Sequence, residues 1–145
     1  MIIKKLDATL DRDILKRIYL YEEKIFGTAG VGQYNISPFT KYGSTYAIFN
    51  DTDIISVIEV IFSRDNIAYI YGVSTNEKFQ NKGYARMLMN FMFSDLKDIS
   101  IFELTVTCSN TYAIRLYSSL GFKITKNLDN EYFDNEKRFL MRKEK

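Results

Sequence analysis

Residues 67 to 96 constrain the fold more than any other stretch. An apolar run, Ile67 to Thr75, leads into the turn Gln80-Asn81-Lys82-Gly83 and then into an amphipathic run, Tyr84 to Leu96. That order predicts strand, tight turn and helix. The first amides of such a helix have no partner within it, and the positive end of the helix dipole lies behind them. The turn therefore predicts an anion site suited to phosphate. Gly83 lets the backbone approach a ligand closely because it lacks a Cβ, and Ala85 keeps the first helical turn slim. Lys82 adds a point charge. A plain helix start fits the same residues. No Gly-Lys-Ser/Thr follows, so this is not a Walker loop, and the other glycines of the dinucleotide fingerprint are missing.

The remaining segments supply a sheet. Met1 to Leu6 reads as a short edge strand. Asp11 or Asp13 is placed to cap a helix that buries Ile14, Leu15, Ile18 and Ile25 and ends near Gly27. Gly27 to Gly43, with Gly27, Gly30, Gly32 and the only proline, Pro38, predicts a flexible or short-helical segment. Tyr46–Asn50, Ile54–Phe62 and Ile67–Thr75 read as an antiparallel meander turned by Asn50-Asp51-Thr52-Asp53 and Ser63-Arg64-Asp65-Asn66. In the helix from Tyr84, the residues Met87, Leu88, Phe91 and Met92 fall at core spacing, the methionines as filler. Ile101 to Thr107 predicts a strand. Thr111 to Leu120 predicts a helix that Gly121 ends. Phe122–Thr125 and Phe139–Arg142 predict a closing strand pair joined by the polar stretch Lys126 to Arg138, and Arg142 to Lys145 a solvated tail.

Composition then removes whole classes of chemistry. The 145 residues suit one domain, 1–145, and 46% apolar content is enough to bury a core. There is no His, which takes away the usual zinc ligand and the usual general base. No metal site is expected. The net charge of +2 is too mild to argue for nucleic acid. No stretch approaches membrane-spanning length and no signal-peptide pattern opens the chain, so no membrane association is expected. The single Cys, Cys108, excludes an internal disulfide and suggests a cytoplasmic setting. It reads as a packed small residue.

A second motif follows the strand Ile101–Thr107. Residues Asn110 to Phe122 read Asn-x-x-Ala-x-x-Leu-Tyr-x-x-x-Gly-Phe. With Gln-x-x-Gly-x-Ala from Gln80 to Ala85, each after a strand, this pair resembles the GNAT superfamily of acyl-CoA-dependent N-acetyltransferases. The resemblance covers Ile54 to Phe122 and thins before Tyr46 and after Lys123. It implies an α/β (α+β) GNAT fold: a mixed, mostly antiparallel central sheet of about six to seven strands, flanked by helices and splayed between strands 67–75 and 101–107. It also implies acetyl-CoA as donor. The pantetheine amides would bond Val73, Ser74 and Thr75 like an added strand. The pyrophosphate would sit on Gln80, Asn81, Lys82, Gly83, Tyr84 and Ala85. Tyr117 would be the general acid for the CoA thiolate, and Asn110 both a helix cap and a cofactor contact. An amide near Val73 or Ser74 would meet the oxyanion. Tyr117 also reads as a buried aromatic on an apolar helix face.

The base is less defined. Where many members carry a Glu before the phosphate turn, this chain has Tyr69. Where the ribosomal-protein acetyltransferases carry one before the Asn, it has Thr105. Glu103 shares a strand face with Thr105 and ranks as the candidate base above Glu59, which a simple hairpin register places opposite Ile70. Water with Tyr69 or Tyr71 is an alternative, and either Glu reads equally as a strand charge. Glu22 and Glu23 close the first helix, facing a cationic amine or simply solvated. Tyr34, Phe39 and Tyr42 suggest an acceptor loop, or core packing. The expected activity is acetylation of a primary amine on a small molecule, a protein N-terminus or a Lys. A homodimer is possible. The missing carboxylates favour one rival: a CoA-sensing binding module without turnover.

Overall fold

The computed structural model describes the whole chain, Met1–Lys145. In order, the elements are β1 (Ile2–Lys5), α1 (Arg12–Phe26), α2 (Ile36–Tyr42), β2 (Ser44–Phe49), β3 (Ile54–Phe62), β4 (Ile67–Thr75), α3 (Tyr84–Asp95), β5 (Ile101–Thr107), α4 (Thr111–Ser119), β6 (Lys123–Asp129) and β7 (Lys137–Glu144). Short 3-10 turns occupy Gly27–Ala29 and Glu77–Phe79. The strands form one seven-stranded sheet in the order β1-β2-β3-β4-β5-β7-β6, and four helices flank it. Only β4 and β5 pair in parallel; β1–β2, β2–β3, β5–β7 and β6–β7 are antiparallel. The parallel ladder runs from Ile67–Ile101 to Ile70–Leu104 and stops there. The predicted splay follows from that short ladder. No helix is long and apolar enough to cross a membrane.

The chain divides into two compact units, one of residues 1–61 and 72–96, the other of 62–71 and 97–145. In the first, β2 and β3 are nearly continuous apolar runs and are buried on both faces, the pattern of a central strand. Ala47, Phe49 and Val57 pack with Leu15 and Ile18 of α1 and Ile36 of α2. Tyr46, on the opposite face of β2, meets α3: its ring lies edge-on to Phe91 and its hydroxyl donates to Asp95 at 2.6 Å.

Three details of α1 and α3 differ from expectation. Ile25 is exposed, and the buried stripe of α1 is Leu15, Ile18 and Glu22. That spacing is a regular helical face, and the charge on Glu22 disguises it. Met87 is exposed, whereas Leu88, Met89 and Met92 are buried. The Asp11 side chain does not cap α1; it accepts from the Asp7 amide and from Lys4.

The β3–β4 hairpin is also longer than a two-residue turn. The Ser63 amide donates to Ile67 and Asn66 takes the left-handed conformation (φ 61). Further along, the Asn76 amide bonds the Ile55 carbonyl. From there to the turn β4 gains one residue on β3, a bulge. Together these shifts bring Glu59 to Gly72 rather than to Ile70: a Cβ built on Gly72 would lie 2.7 Å from Glu59 Oε1.

The second unit alternates more simply. Phe102, Leu104 and Val106 of β5 are buried with Ala68, Ile70, Tyr117, Phe122 and Met141, while Glu103 and Thr105 lie on the other face. The end of α4 explains the spacing Leu-Tyr-x-x-x-Gly-Phe. The Phe122 amide bonds the Tyr117 carbonyl (3.0 Å), the Gly121 amide bonds Ser118 (3.1 Å), and Gly121 has φ +100. This is a Schellman motif, and the Tyr117–Phe122 ring contact at 5.9 Å is its apolar clasp. Lys143 completes the cap by donating to the Leu120 carbonyl at 2.8 Å. Gly121→Ala places a side chain in a left-handed conformation at a cost of about 1–2 kcal/mol. Thermal unfolding should show a corresponding loss of stability. An unchanged Tm would mean that the cap does not hold the helix end.

Candidate active site

The phosphate turn is built by two left-handed residues, Asn81 (φ 63) and Gly83 (φ 83). Nothing lies within 4 Å of a Cβ built on Gly83, so the glycine is required by its backbone angle, with open space in front of it. Gly83 caps α3 without a side-chain bond, and the Met87 amide bonds the Gly83 carbonyl. The amides of Tyr84 and Ala85 lie in the first turn, ahead of the regular helical ladder. Gln80 turns inward and donates from Nε2 to the Thr75 carbonyl at 3.2 Å, fixing the turn to the end of β4. The Phe79 and Tyr84 rings meet edge-on at 6.2 Å across it. Lys82 is exposed. At the end of β4 the Ser74 carbonyl accepts from Ser56 Oγ (2.8 Å), and Ser74 Oγ accepts from the Tyr21 hydroxyl (3.1 Å).

The same unit holds two buried carboxyl groups. Glu22 is 3% and Glu59 2% exposed. The two carboxyl groups neighbour each other, and Glu22 Oε1 and Glu59 Oε2 are buried without any partner. Burial raises the pKa of both, and the neighbouring Glu22 charge pushes Glu59 further, well above the carboxylate range. Burial, with these charges as a lesser cause, also raises the Tyr21 phenol to about 12. Of the two sequence readings of Glu22, facing a cationic amine or simply solvated, its burial excludes the second. Its place on the Leu15–Ile18 stripe was the available signal.

In the second unit Asn110 caps α4 as expected, accepting from the Ala113 amide at 3.2 Å. Tyr117 is buried, and desolvation lifts its phenol to about 12. Tyr69 and Thr105, at the two positions where the family resemblance implied a carboxylate, are brought together. The Tyr69 hydroxyl lies 3.1 Å from Thr105 Oγ1, and the Tyr132 hydroxyl is 3.0 Å from Tyr69 and 2.9 Å from Thr105. Burial pushes the Tyr69 phenol upward. Tyr132 reaches this triangle from the β6–β7 loop. Arg138 stacks on its ring at 4.7 Å and grips Asp134 with two hydrogen bonds. No local pattern in the sequence announces this closure. Glu103 pairs across the β5–β7 ladder with Arg142 (Nη1–Oε2 3.7 Å), which also holds Glu144.

Of the acceptor-loop aromatics, Phe39 packs on the core and Tyr34 and Tyr42 are exposed. Glu23 is exposed, and Cys108 is half-buried. No group of three or more carboxylate, His or Cys side chains is placed to hold a metal.

A family model described as the Acetyltransferase (GNAT) family matches residues 12–122, a span that contains both motifs. The chain belongs to the GNAT acetyltransferase family. It is an acyltransferase domain, and the sheet order and the short β4–β5 ladder are those of the GNAT fold. Among solved structures it is similar to Ard1 from Thermoplasma volcanium (TM-score 0.80, 21% identity, covering 99% of this chain and 96% of that one). It is similar to a GNAT family acetyltransferase from Elizabethkingia anophelis with acetyl-CoA bound (0.73, 21%, 99% and 97%). It is also similar to the aminoglycoside 6'-N-acetyltransferase from Enterococcus faecium (0.80, 12%, 99% and 97%). At these identities the likeness is one of fold. No curated protein matches the sequence. The start of α3, preceded by a left-handed glycine with open space before it, fits the pyrophosphate of acetyl-CoA.

The carboxyl pair has a measurable consequence. An acid with a raised folded-state pKa keeps a proton that the unfolded chain gives up. Stability therefore falls as pH rises from the unfolded carboxyl value, about 4.3, towards the folded one. Glu59→Gln should make that decline shallower and raise Tm at neutral pH by at least about 2 °C. If the pH slope of Tm is the same in both proteins, Glu59 ionises like a surface residue.

Proposed function

We propose that this domain transfers the acetyl group of acetyl-CoA to a primary amine. The observation that carries the reading is the left-handed Gly83 turn at the start of α3, with open space before it, in a chain of the GNAT family. Acetyl-CoA, when bound, supplies an acetyl thioester. Val73, Ser74 and Thr75 offer backbone groups to its pantetheine arm, and Gln80 to Ala85 hold the pyrophosphate. Asn110 contacts the cofactor while capping α4. The amide near Val73 or Ser74 donates to the charge that develops on the acetyl oxygen.

Tyr117 assists the leaving sulfur, and its environment defines how. With the phenol near 12 and a free thiol near 8.5, the thiol is the stronger acid by about three powers of ten. Tyr117 therefore stabilises the thiolate chiefly as a hydrogen-bond donor, and it stays protonated throughout the working pH range. The amine must lose its proton before attack. The Tyr69–Thr105–Tyr132 hydroxyls offer a relay for it. Glu103, held by Arg142 on the same face of β5, is the carboxylate that receives it.

The test is thiol release from acetyl-CoA with pooled polyamines, amino acids, aminoglycosides and short peptides. Release above the no-amine rate that follows one pool supports the proposal. Tyr117→Phe should lower kcat at least ~100-fold, the range of a single preorganised donor, while acetyl-CoA still raises Tm. Equal losses of turnover and cofactor affinity would remove the donor role. A Tm rise with acetyl-CoA but no turnover with any pool would favour a CoA-sensing module.

A further inference from the structure

The mechanism above leaves the Glu22–Glu59 pair unused. The two carboxyl groups come from separate elements, α1 and β3, and nothing local forces them together. They are buried, with Thr45 the register partner of Glu59 on β2, and two of their oxygens accept from no protein group. Burying such groups without a partner is costly, and replacing either Glu by an apolar residue of similar size would be the simpler core. The chain leaves room for them instead. Gly72 has no side chain where a Cβ would come within 2.7 Å of Glu59 Oε1. The backbone covering Glu22 is another glycine, Gly30, whose Cβ would stand 3.3 Å from that of Glu22. The Tyr21 hydroxyl is turned to Ser74, which leaves the orphan oxygens free.

We propose that Glu22 and Glu59 form a receptor for one alkylammonium group of the acceptor, so that the substrate is a diamine held by one nitrogen and acetylated on the other. An alkylammonium carries three N–H donors on a compact charge, enough to satisfy Glu22 Oε1 and Glu59 Oε2 at once. With one of the two carboxyls protonated, the ammonium balances the single remaining charge and the occupied site is electrically neutral. A metal ion is a poorer fit, because no third ligand is present. The nitrogen held here cannot be the nucleophile. Its lone pair is protonated, and desolvated carboxylates favour that charged form. A second amine must therefore be the one that attacks. This specificity rests on the acetyltransferase reading, but binding of the cation does not.

The experiment uses the full chain with CoA present and measures binding of 1,4-diaminobutane, butylamine and butan-1-ol by calorimetry. Thiol release from acetyl-CoA is followed with the two amines. Both amines should bind and the alcohol should not. The diamine should be acetylated with at least ~10-fold higher kcat/KM than butylamine. Glu22→Gln and Glu59→Gln should each weaken binding of the diamine at least ~10-fold without lowering Tm. Gly72→Ala, which crowds the Glu59 carboxyl, should weaken it too. Butan-1-ol binding as well as the amines, or Gln variants that bind the diamine like the parent, would overturn the receptor. Equal kcat/KM for the two amines would overturn the diamine specificity. Loss of the acetyl-CoA effect on Tm would count against the acetyltransferase reading alone, and the calorimetry would still decide the cation site.

Discussion

A strand carries its hydrogen-bonding groups whether or not it has a neighbour, and β4 keeps β5 as a neighbour for only four register positions, Ile67 to Ile70. The cofactor contacts proposed for β4 depend on that interruption. Past it, Val73, Ser74 and Thr75 stay anchored on the β3 side through Ser56 and Asn76, and at the exit through Gln80. The strand is held straight from one side only. An extended ligand chain can then do for β4 what a missing strand would have done.

The same economy shows in how charge is distributed. The positions where the family resemblance implied a carboxylate carry hydroxyls here, and Tyr69, Thr105 and Tyr132 satisfy one another. Carboxyl groups appear instead beneath α1, where Glu22 and Glu59 leave two oxygens unsatisfied. A hydroxyl triangle can pass a proton but cannot keep one. A buried carboxyl pair can hold charge but is remote from water. The two arrangements suit different tasks, and no single residue has to serve both.

Much of this was legible in the sequence. The bounds of β3, β4 and β5 follow directly from apolar runs ending at turn residues, and Gln80–Ala85 with Asn110–Phe122 sufficed for the family. What was not legible depends on register and on distance along the chain. Asn66 in the left-handed conformation lengthens the β3–β4 turn, and a bulge adds one more residue. Each shift is small, yet together they move Glu59 from Ile70 to Gly72. Glu22 was hidden by its type, since a helical stripe is read by apolarity and Ile25 looked the better continuation. Tyr132 joins Tyr69 across 63 positions of sequence, a contact that no local period encodes.

The clasp at the end of α4 sets a tolerance on chemistry. Tyr117 is one half of a helix terminator whose other parts are Gly121, Phe122 and the ammonium of Lys143. Because side chains alternate along a strand, a slip of one residue in β7 would turn Lys143 away and present a neighbour from the opposite face. The position of the phenol is thus gauged by the register of the last strand. Insertions and deletions in the connection between β6 and β7 would be tolerated only where they leave that register untouched, even though the connection is itself an exposed loop.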